Sequence, residues 1–511
     1  MSSTATNSTD LGNTVPGSAV PGSAVPGSAV VAGAGPVGLT VAAELRLRGI
    51  EVIVLEPLPS IDPRVKAGSL APRAVDALDL RGLAERIPSF ALPQTGGQRV
   101  RTGGQRGSGP RGHFAGMWVL RESAYSSKAA TLVPQQVLEE LLDDHAAAQG
   151  ADIRRGHTLT GYTQDEEGVT VQVEGPEGPY ELRAGWLVGA DGGRSTVRKL
   201  SGVPFPGTDG VITGYQALAE LDDPDFAPMG WNRLPGGLVV NGPVPGRVLV
   251  VEFEGPPADR DAAITVEEFQ SILRRVSGSE VTVLEARSLT RFTDNARLAE
   301  SFVIGRVVLA GDAAHVHSPF GGQGLNLGLG DAFNLGWKLA AVIKGEAGRE
   351  LLDTYTAERG PVAAGVLKNT RAQVAMMRPG PYADAVRELF AMLLEADDAN
   401  RRLTDLISGA GLRYDLGSAH DLVGRFVPDL TVKTAEGSFR VAELMRSGRG
   451  LLLVLDGRAV PEEWAGRVET VRGACEAAPA DALLVRPDGH VAWAAGDGSL
   501  TEALTTWFGP A

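Results

Sequence analysis

The sequence predicts an α/β fold of more than one domain, on three observations. Residues 30–55 contain a short apolar run, a glycine turn, a helical stretch and a second apolar run, the pattern of a strand, a helix and a strand. Residues 205–300 are rich in glycine, proline and alternating β-formers, which favours a mainly antiparallel sheet. The chain has 511 residues, more than one compact core usually holds, so two or three domains are expected.

The same patterns assign the remaining elements. Residues 133–149 are expected to form an amphipathic helix, and residues 169–173 an alternating strand. A second glycine-dense strand-to-helix segment begins near Gly305, and helices continue to about residue 410. Strands and helices alternate again towards the C-terminus, which predicts a small third domain. Residues 1–29 contain Val-Pro-Gly-Ser-Ala three times and are expected to form a flexible tail.

Composition restricts the class of protein. Hydrophobic residues make up 43% and charged residues 22% of the chain, as in an ordinary globular protein. We find no apolar run of about 18 residues and no basic-then-apolar N-terminal segment, so we expect a cytoplasmic protein without a membrane span. The net charge of −14 disfavours nucleic acid or an anionic membrane as partner. The single cysteine, Cys475, excludes an intrachain disulfide framework. A small molecule is therefore the expected partner.

The first motif, Gly-Ala-Gly-Pro-Val-Gly at residues 33–38, directly follows a strand and opens a helix. Such glycines permit a tight turn and let the backbone approach a pyrophosphate, whose charge the helix N-terminus meets. Glu56 ends the next strand 18 residues beyond Gly38, where a carboxylate accepts hydrogen bonds from a ribose diol. Together these features predict a dinucleotide site. An acid there suits FAD or NAD better than NADP.

Two further motifs contain glycine turns after apolar strands. Residues 186–198 reach Asp191-Gly192, and a serine and a threonine with flanking arginines follow into a helix. A strand-end turn capped by Asp191 is the alternative interpretation. Residues 305–326 read GRVVLAGDAAHVHSPFGGQGLN, too long for a chance match. His315 and His317 lie inside this motif, and no carboxylate cluster completes a site around them, so no metal is expected.

With these three blocks in this order, the chain resembles the flavoprotein hydroxylases typified by phenol and para-hydroxybenzoate hydroxylases, from residue 30 to about residue 500. Within that family it resembles monooxygenases that tailor aromatic polyketides in actinomycetes. Residues 112–117, Pro134-Gln135 and Glu139 are similar to segments of that subgroup.

The resemblance implies three folded domains. They are a Rossmann-like FAD-binding domain (30–204 and 296–410), an inserted, mainly antiparallel β-sheet substrate domain (205–295) and a thioredoxin-like C-terminal domain (411–511). The last lacks Cys-x-x-Cys, so redox catalysis there is excluded, and structural support or homodimer contact is expected.

The resemblance also implies how FAD is held. The first motif and Glu56 hold the ADP half, Gln135 approaches the ribose or pyrophosphate, and the Asp191-Gly192 motif serves FAD and NAD(P)H. Asp312 bonds the ribityl chain, and residues 319–326 line the isoalloxazine. Relatives commonly place an FAD-contacting arginine where this chain has Lys66, and Arg64 is the alternative. The expected cofactor contacts are Gly33, Gly35, Pro36, Val37, Gly38, Glu56, Lys66, Gln135, Asp191, Gly311, Asp312, Pro319, Gly322, Gly324, Leu325 and Asn326.

The implied activity is that of an FAD monooxygenase of secondary metabolism, such as antibiotic biosynthesis. NADH or NADPH reduces FAD, oxygen adds to give a C4a-hydroperoxyflavin, and one oxygen atom passes to a polycyclic aromatic substrate. No catalytic acid or base is predicted. Tyr215 and Trp231 are candidate substrate contacts, with a place in the sheet core as the alternative. A Baeyer–Villiger or ring-cleaving oxygenase, a flavin-dependent dehydratase or reductase, and a non-catalytic FAD-fold binding protein stay open.

Overall fold

The computed structural model describes residues 27–87, 112–123, 125–126, 128–242, 244–260 and 262–511. Residues 1–26 of the predicted tail, which spans residues 1–29, lie outside the described residues. The first strand begins at Ser28, two residues earlier than the apolar run predicts.

The strands of the described residues are, in chain order, β1 (Ser28–Ala32), β2 (Glu51–Glu56), β3 (Ser69–Leu70), β4 (Gly112–Phe114), β5 (Met117–Leu120), β6 (Thr131–Leu132), β7 (Asp152–Arg155), β8 (Thr158–Gln164), β9 (Val169–Gly175), β10 (Gly178–Ala184), β11 (Trp186–Gly189), β12 (Gly207–Thr208), β13 (Thr213–Leu221), β14 (Gly230–Leu234), β15 (Gly237–Asn241), β16 (Arg247–Glu252), β17 (Val283–Phe292), β18 (Ala296–Leu298), β19 (Val303–Ile304), β20 (Val307–Leu309), β21 (His315–Val316), β22 (Thr431–Lys433), β23 (Ser438–Arg440), β24 (Gly450–Val454), β25 (Val468–Arg472), β26 (Ala482–Val485) and β27 (Val491–Ala494). The helices are α1 (Pro36–Leu47), α2 (Pro72–Asp79), α3 (Gln135–Ala148), α4 (Thr196–Ser201), α5 (Val266–Ser277), α6 (Gly324–Ile343), α7 (Glu350–Met377), α8 (Pro381–Leu393), α9 (Asp397–Ser408), α10 (Val441–Leu444) and α11 (Leu500–Phe508), with short 3-10 turns at Ala84–Arg86 and Gly311–Ala313.

A mostly parallel sheet is built from segments far apart in the sequence. Within the described residues its strand order is β19-β20-β11-β1-β2-β7, and only the β19–β20 pair is antiparallel. Strands β1, β11 and β20 are almost wholly buried, as expected for strands that are covered on both faces. Helix α1 contacts both α3 and α6 beside this sheet. The mixed α/β class that the sequence predicts is therefore confirmed.

A second sheet has the order β14-β15-β16-β13-β17 and is antiparallel throughout. Its side chains alternate between two faces. One face, which includes Val239 and Val250, packs against Phe269 of α5. The opposite face, which includes Val240 and Leu249, forms a separate apolar cluster with Phe320 from the loop before α6. The sheet therefore contacts the third sequence motif through this second face.

The C-terminal region forms a smaller mixed sheet with the order β25-β24-β26-β27. The β24–β25 pair is parallel and the other pairs are antiparallel. Leu452 and Trp493 of this sheet share an apolar cluster with Trp337 of α6 and Phe508 of α11. Among the helices in the described ranges, none is both long and apolar enough to cross a membrane.

Buried charges join this sheet to α6 and α7. Arg486 pairs with Glu358 at 2.8 Å and with Asp488 at 2.5 Å, and Lys338 pairs with Glu358 at 3.0 Å. All of these side chains are buried, so each charge depends on its partners to offset the loss of water. Burial raises the pKa of the Glu358 carboxyl, but Arg486 and Lys338 outweigh that effect and lower it to about 2.

We expect Glu358→Gln to lower the free energy of unfolding by about 3 kcal/mol, because it removes one partner of a buried ion pair. The loss should appear as a lower Tm above pH 4.5. Folding lowers the pKa of Glu358 from 4.5 to about 2. The difference in Tm between wild type and Glu358→Gln should therefore shrink as the pH falls towards 2, because protonation removes the stabilisation that the wild-type carboxylate provides. Glu285→Gln, in an exposed pair with Arg287, is the control and should leave the Tm close to that of wild type. Equal Tm changes for the two variants would contradict this expectation.

Candidate active site

Three glycine-containing turns lie side by side where the parallel sheet ends. The turn at residues 33–38 follows β1, Asp191-Gly192 follows β11, and Gly311-Asp312 follows β20. Strand β11 lies between β1 and β20 and pairs with both in parallel register. The three turns therefore occupy the carboxyl end of one sheet, which is where open α/β sheets bind ligands.

The glycines of the first turn have different physical roles. Gly33 has a φ of +105°, and a Cβ atom there would lie 2.4 Å from the Ala190 carbonyl oxygen. A Cβ atom at Gly38 would lie 1.9 Å from the Gly33 carbonyl oxygen. In contrast, no atom lies within 4 Å of a Cβ atom built on Gly35, which precedes α1 and has no side-chain cap bond. The N-terminus of α1 is thus open to an anionic group.

Glu56 lies directly beside this turn. One carboxylate oxygen accepts a hydrogen bond from the Ala34 N–H at 2.9 Å, and the other accepts one from the Leu58 N–H at 3.0 Å. Glu56, which the sequence predicts near a ribose, therefore also holds the turn at residues 33–38 in position.

A cavity of about 2540 Å³ extends from the ends of these strands to the antiparallel sheet. Single-ligand pockets measure about 300–1,000 Å³, so this cavity has room for a dinucleotide and a second molecule. Most of the predicted cofactor contacts border it: Gly35, Pro36, Val37, Lys66, Gln135, Asp191, Asp312, Pro319, Gly322, Gly324, Leu325 and Asn326. The structure brings these residues together, whereas Gly33, Gly38, Glu56 and Gly311 do not border the cavity.

Two carboxylates of the cavity have acceptor oxygens to offer. One oxygen of Asp191 accepts hydrogen bonds from the Thr196 and Val197 N–H groups at 2.7 and 3.1 Å and so caps α4. Its other oxygen is buried and has no hydrogen-bond partner in the part of the chain that the structure describes. Asp312 is exposed, although Gly311 and Ala313 on either side are buried. Both side chains fit hydroxyl groups of a bound ligand.

The loop before α6 offers backbone donors. Gly321 and Gly322 adopt φ values of +82° and +62°, and Gln323, which precedes α6, makes no side-chain cap bond. The first residues of α6 border the cavity, so the positive end of the helix dipole suits the negative charge of a reduced flavin. The Asn326 amide serves the loop itself, because it accepts from the Ala71 N–H at 2.7 Å and donates to the Gly322 carbonyl at 2.9 Å.

Comparison with known proteins identifies the family. The FAD-binding domain family matches residues 28–370, and the C-terminal domain of aromatic-ring hydroxylases matches residues 420–511. The chain belongs to the FAD-dependent aromatic-ring hydroxylases. The family, the FAD cofactor and the monooxygenase class that the sequence predicts are confirmed.

The relatives match along almost their whole length. The chain is 44% identical to the 12-dehydrotetracycline 5-monooxygenase/anhydrotetracycline 6-monooxygenase of Streptomyces rimosus subsp. rimosus, over 94% of this chain and 98% of that protein. It is also 44% identical to a rifampicin monooxygenase of Streptomyces venezuelae, with the same coverage. The solved structure of the OxyS anhydrotetracycline hydroxylase from Streptomyces rimosus superposes with a TM-score of 0.83 at 41% identity, covering 94% of this chain and 99% of that one.

Arg64 and Lys66 are the two candidates for the cation that contacts FAD in this hydroxylase. Both border the cavity, and both pair with Asp62, at 2.6 and 3.0 Å. Burial raises the pKa of Asp62, but the hydrogen bonds from Arg64 and Lys66 outweigh it and hold the pKa well below its usual range. Arg64 and Lys66 therefore both stay candidates for the FAD contact. Gln135 lies nearby at the start of α3, and its side-chain oxygen accepts from the Ala67 N–H at 3.3 Å.

The two candidate substrate contacts lie in different places. Trp231 borders the cavity, and its ring centroid lies 5.4 Å from that of Phe320 in an edge-on contact. Tyr215 is 7% exposed, packs in the cluster that contains α5, and does not border the cavity. Its neighbour Gln216 does, because successive side chains of a strand point to opposite faces. The packing of Tyr215 favours the alternative interpretation, a place in the sheet core.

Several cavity residues have no role in the sequence prediction. Arg247 opens β16, and its guanidinium donates to the Gln216 side-chain oxygen at 2.9 Å. The Gln216 amide in turn donates to the Val65 carbonyl at 2.6 Å, which joins the antiparallel sheet to the segment with Arg64. His113 also borders the cavity. Its motif at residues 112–117 is a sequence signal for the subgroup, but it assigns no role to the histidine.

We expect Gly35→Val to weaken FAD binding by about tenfold or more, equivalent to about 1.4 kcal/mol, because its side chain would enter the space before α1. The apoprotein should keep its Tm, since no atom lies within 4 Å of the added Cβ. Titration of apoprotein with FAD, followed by flavin fluorescence, measures the change. Gly466→Val, at an equally open glycine that does not border the cavity, is the control. Wild-type FAD affinity in Gly35→Val would refute the assignment of this turn.

Proposed function

We propose that this chain hydroxylates a polycyclic aromatic substrate of the polyketide type, with FAD, molecular oxygen and NADH or NADPH. One observation carries the proposal: the loop before α6 and the aromatic side chains Trp118, Trp231 and Phe292 border the same cavity. A flavin and a flat substrate can therefore lie in contact there. The name of the Streptomyces rimosus relative contains tetracycline-type substrates, which supports a polycyclic ligand.

We infer that FAD lies along the carboxyl end of the parallel sheet. The N-terminus of α1 and Glu56 would bind the ADP half, and the exposed carboxylate of Asp312 would accept a hydrogen bond from the ribityl chain. Residues 319–326 would contact the isoalloxazine, with the N-terminus of α6 near its pyrimidine edge. When bound and reduced, FAD supplies the activation of oxygen.

The protein's own contribution is orientation and exclusion of water. The cavity side of the antiparallel sheet offers apolar carbon from Val240, Leu249 and Trp231, which packs against a flat aromatic ring. An electron-rich phenol needs little beyond such orientation to react at one carbon. The same apolar surface keeps water from the reacting atoms. In this proposal no side chain acts as a catalytic acid or base.

The proposed domain division follows the sheets. The parallel sheet draws β1, β2, β7 and β11 from residues 30–204, and β19 and β20 from residues 296–410, which supports a discontinuous FAD-binding domain. Strands β13 to β17 support an inserted substrate domain at residues 205–295. The mixed sheet after residue 411 supports the thioredoxin-like assignment. A homodimer and a cytoplasmic location stay predictions.

Aerobic turnover tests the proposed function. The FAD-loaded protein is supplied with NADPH or NADH and a panel of polycyclic phenols, oxygen uptake is followed, and product structures are determined by NMR. We expect oxygen uptake that depends on the phenol and a product with one added hydroxyl. A lactone or ring-opened product would identify the Baeyer–Villiger or ring-cleaving alternative. Conversion without oxygen uptake would identify a dehydratase or reductase, and colourless protein that oxidises neither nucleotide would favour a non-catalytic role.

A further inference from the structure

His113 lies on a short hairpin that helices hold against the cavity. Strands β4 and β5 are joined by Ala115 and Gly116, which have φ values of +49° and +75°. The Ala115 N–H donates to the side-chain oxygen of Gln373 in α7 at 3.2 Å, and the Ala115 carbonyl accepts from Arg387 of α8 at 2.6 Å. A left-handed conformation is unfavourable for alanine, so these bonds fix a turn that the chain would otherwise avoid. The position of His113 is therefore set by the helical layer.

Aromatic rings surround the imidazole of His113. Its centroid lies 5.4 Å from the ring of Trp118 and 5.4 Å from that of Trp231. Trp231 in turn contacts Phe320, in the loop that we assign to the isoalloxazine. His113, Trp118 and Trp231 all border the cavity. A continuous row of rings thus leads from the flavin loop to His113.

His113 is the polar member of this row. Its Nδ1 atom is buried and has no hydrogen-bond partner among the described residues, and the structure pairs the imidazole with no carboxylate there. Burial lowers the pKa of His113 to about 4, so the ring is neutral near pH 7. A neutral imidazole offers one donor and one acceptor nitrogen. Because the imidazole borders the cavity, a hydroxyl of a bound ligand can supply a hydrogen-bond partner to the ring.

We propose that His113 determines substrate specificity by accepting a hydrogen bond from a phenolic hydroxyl of the aromatic substrate, while Trp231 packs against the substrate ring. This inference rests on the proposed function and names the group that orients the substrate. The hydrogen bond fixes the rotation of a flat ring that otherwise packs against the rings of Trp118 and Trp231. Fixing that rotation presents one ring carbon to the flavin loop.

A pair of bicyclic probes tests the proposal. The dissociation constants of 2-naphthol and naphthalene for the FAD-loaded protein are measured by quenching of tryptophan fluorescence. They are compared for wild type, His113→Phe and His113→Gln. We expect wild type to prefer 2-naphthol about tenfold more strongly than His113→Phe does, as one hydrogen bond implies. His113→Gln, which keeps an acceptor, should recover part of that preference.

His157→Phe is the matched control, because His157 bonds Tyr180 at 2.8 Å and does not border the cavity. It should keep the wild-type ratio of dissociation constants. Each variant is first checked for wild-type FAD content and Tm, and a His113→Phe protein that fails this check is replaced by His113→Leu. An equal ratio in wild type and the apolar variant overturns the role of His113, even if wild type oxygenates polycyclic phenols. Failure of wild type to oxygenate any such phenol overturns the proposed function instead.

Discussion

The buried carboxylate of Asp331 fixes the turn on which the flavin site depends. One oxygen accepts hydrogen bonds from the Gly311 N–H at 3.0 Å and from His315 Nε2 at 2.6 Å, and the other accepts from Arg359 at 2.7 Å. Burial raises the pKa of Asp331, but His315 and Arg359 outweigh it and keep the pKa below its ordinary value. This arrangement holds the Asp312 carboxylate next to Gly311 on the cavity, because a shift of the turn would break the bond from the Gly311 N–H to a buried carboxylate.

The same network reaches the C-terminal sheet and links it to the helices beside the Gly311 turn. Arg359 donates to the Tyr414 hydroxyl at 3.0 Å, and the Tyr414 ring lies 4.4 Å from that of His490. On the other side, Arg81 donates to the Pro487 carbonyl at 2.9 Å and pairs with Glu44 of α1 at 2.7 Å. The segment between β26 and β27 is therefore linked to α7 through Tyr414 and to α1 through Arg81.

Sequence reasoning succeeds where a feature is local and is less informative where tertiary packing decides. The turn at residues 33–38 and Glu56 are predicted because strand, turn, helix and strand are consecutive, and the spacing itself carries the chemistry. The sequence leaves two interpretations of Tyr215 open, because residues 213–217 of β13 are all buried and an alternating pattern does not show which face meets the cavity. The sequence assigns no role to His113, because Trp231, whose ring packs beside it, lies more than a hundred residues away in the chain. Arg64 and Lys66 both stay candidates for the FAD contact because both pair with Asp62.

A crystal structure of the FAD-loaded protein with a bound polycyclic phenol is the most direct measurement of the proposed arrangement. We expect the pyrophosphate at the N-terminus of α1, the ribityl chain beside Asp312, and the isoalloxazine against residues 319–326. The phenol should lie between that ring and Trp231, inside the cavity of about 2540 Å³. An isoalloxazine bound away from the loop before α6, or a phenol bound outside this cavity, would contradict the arrangement.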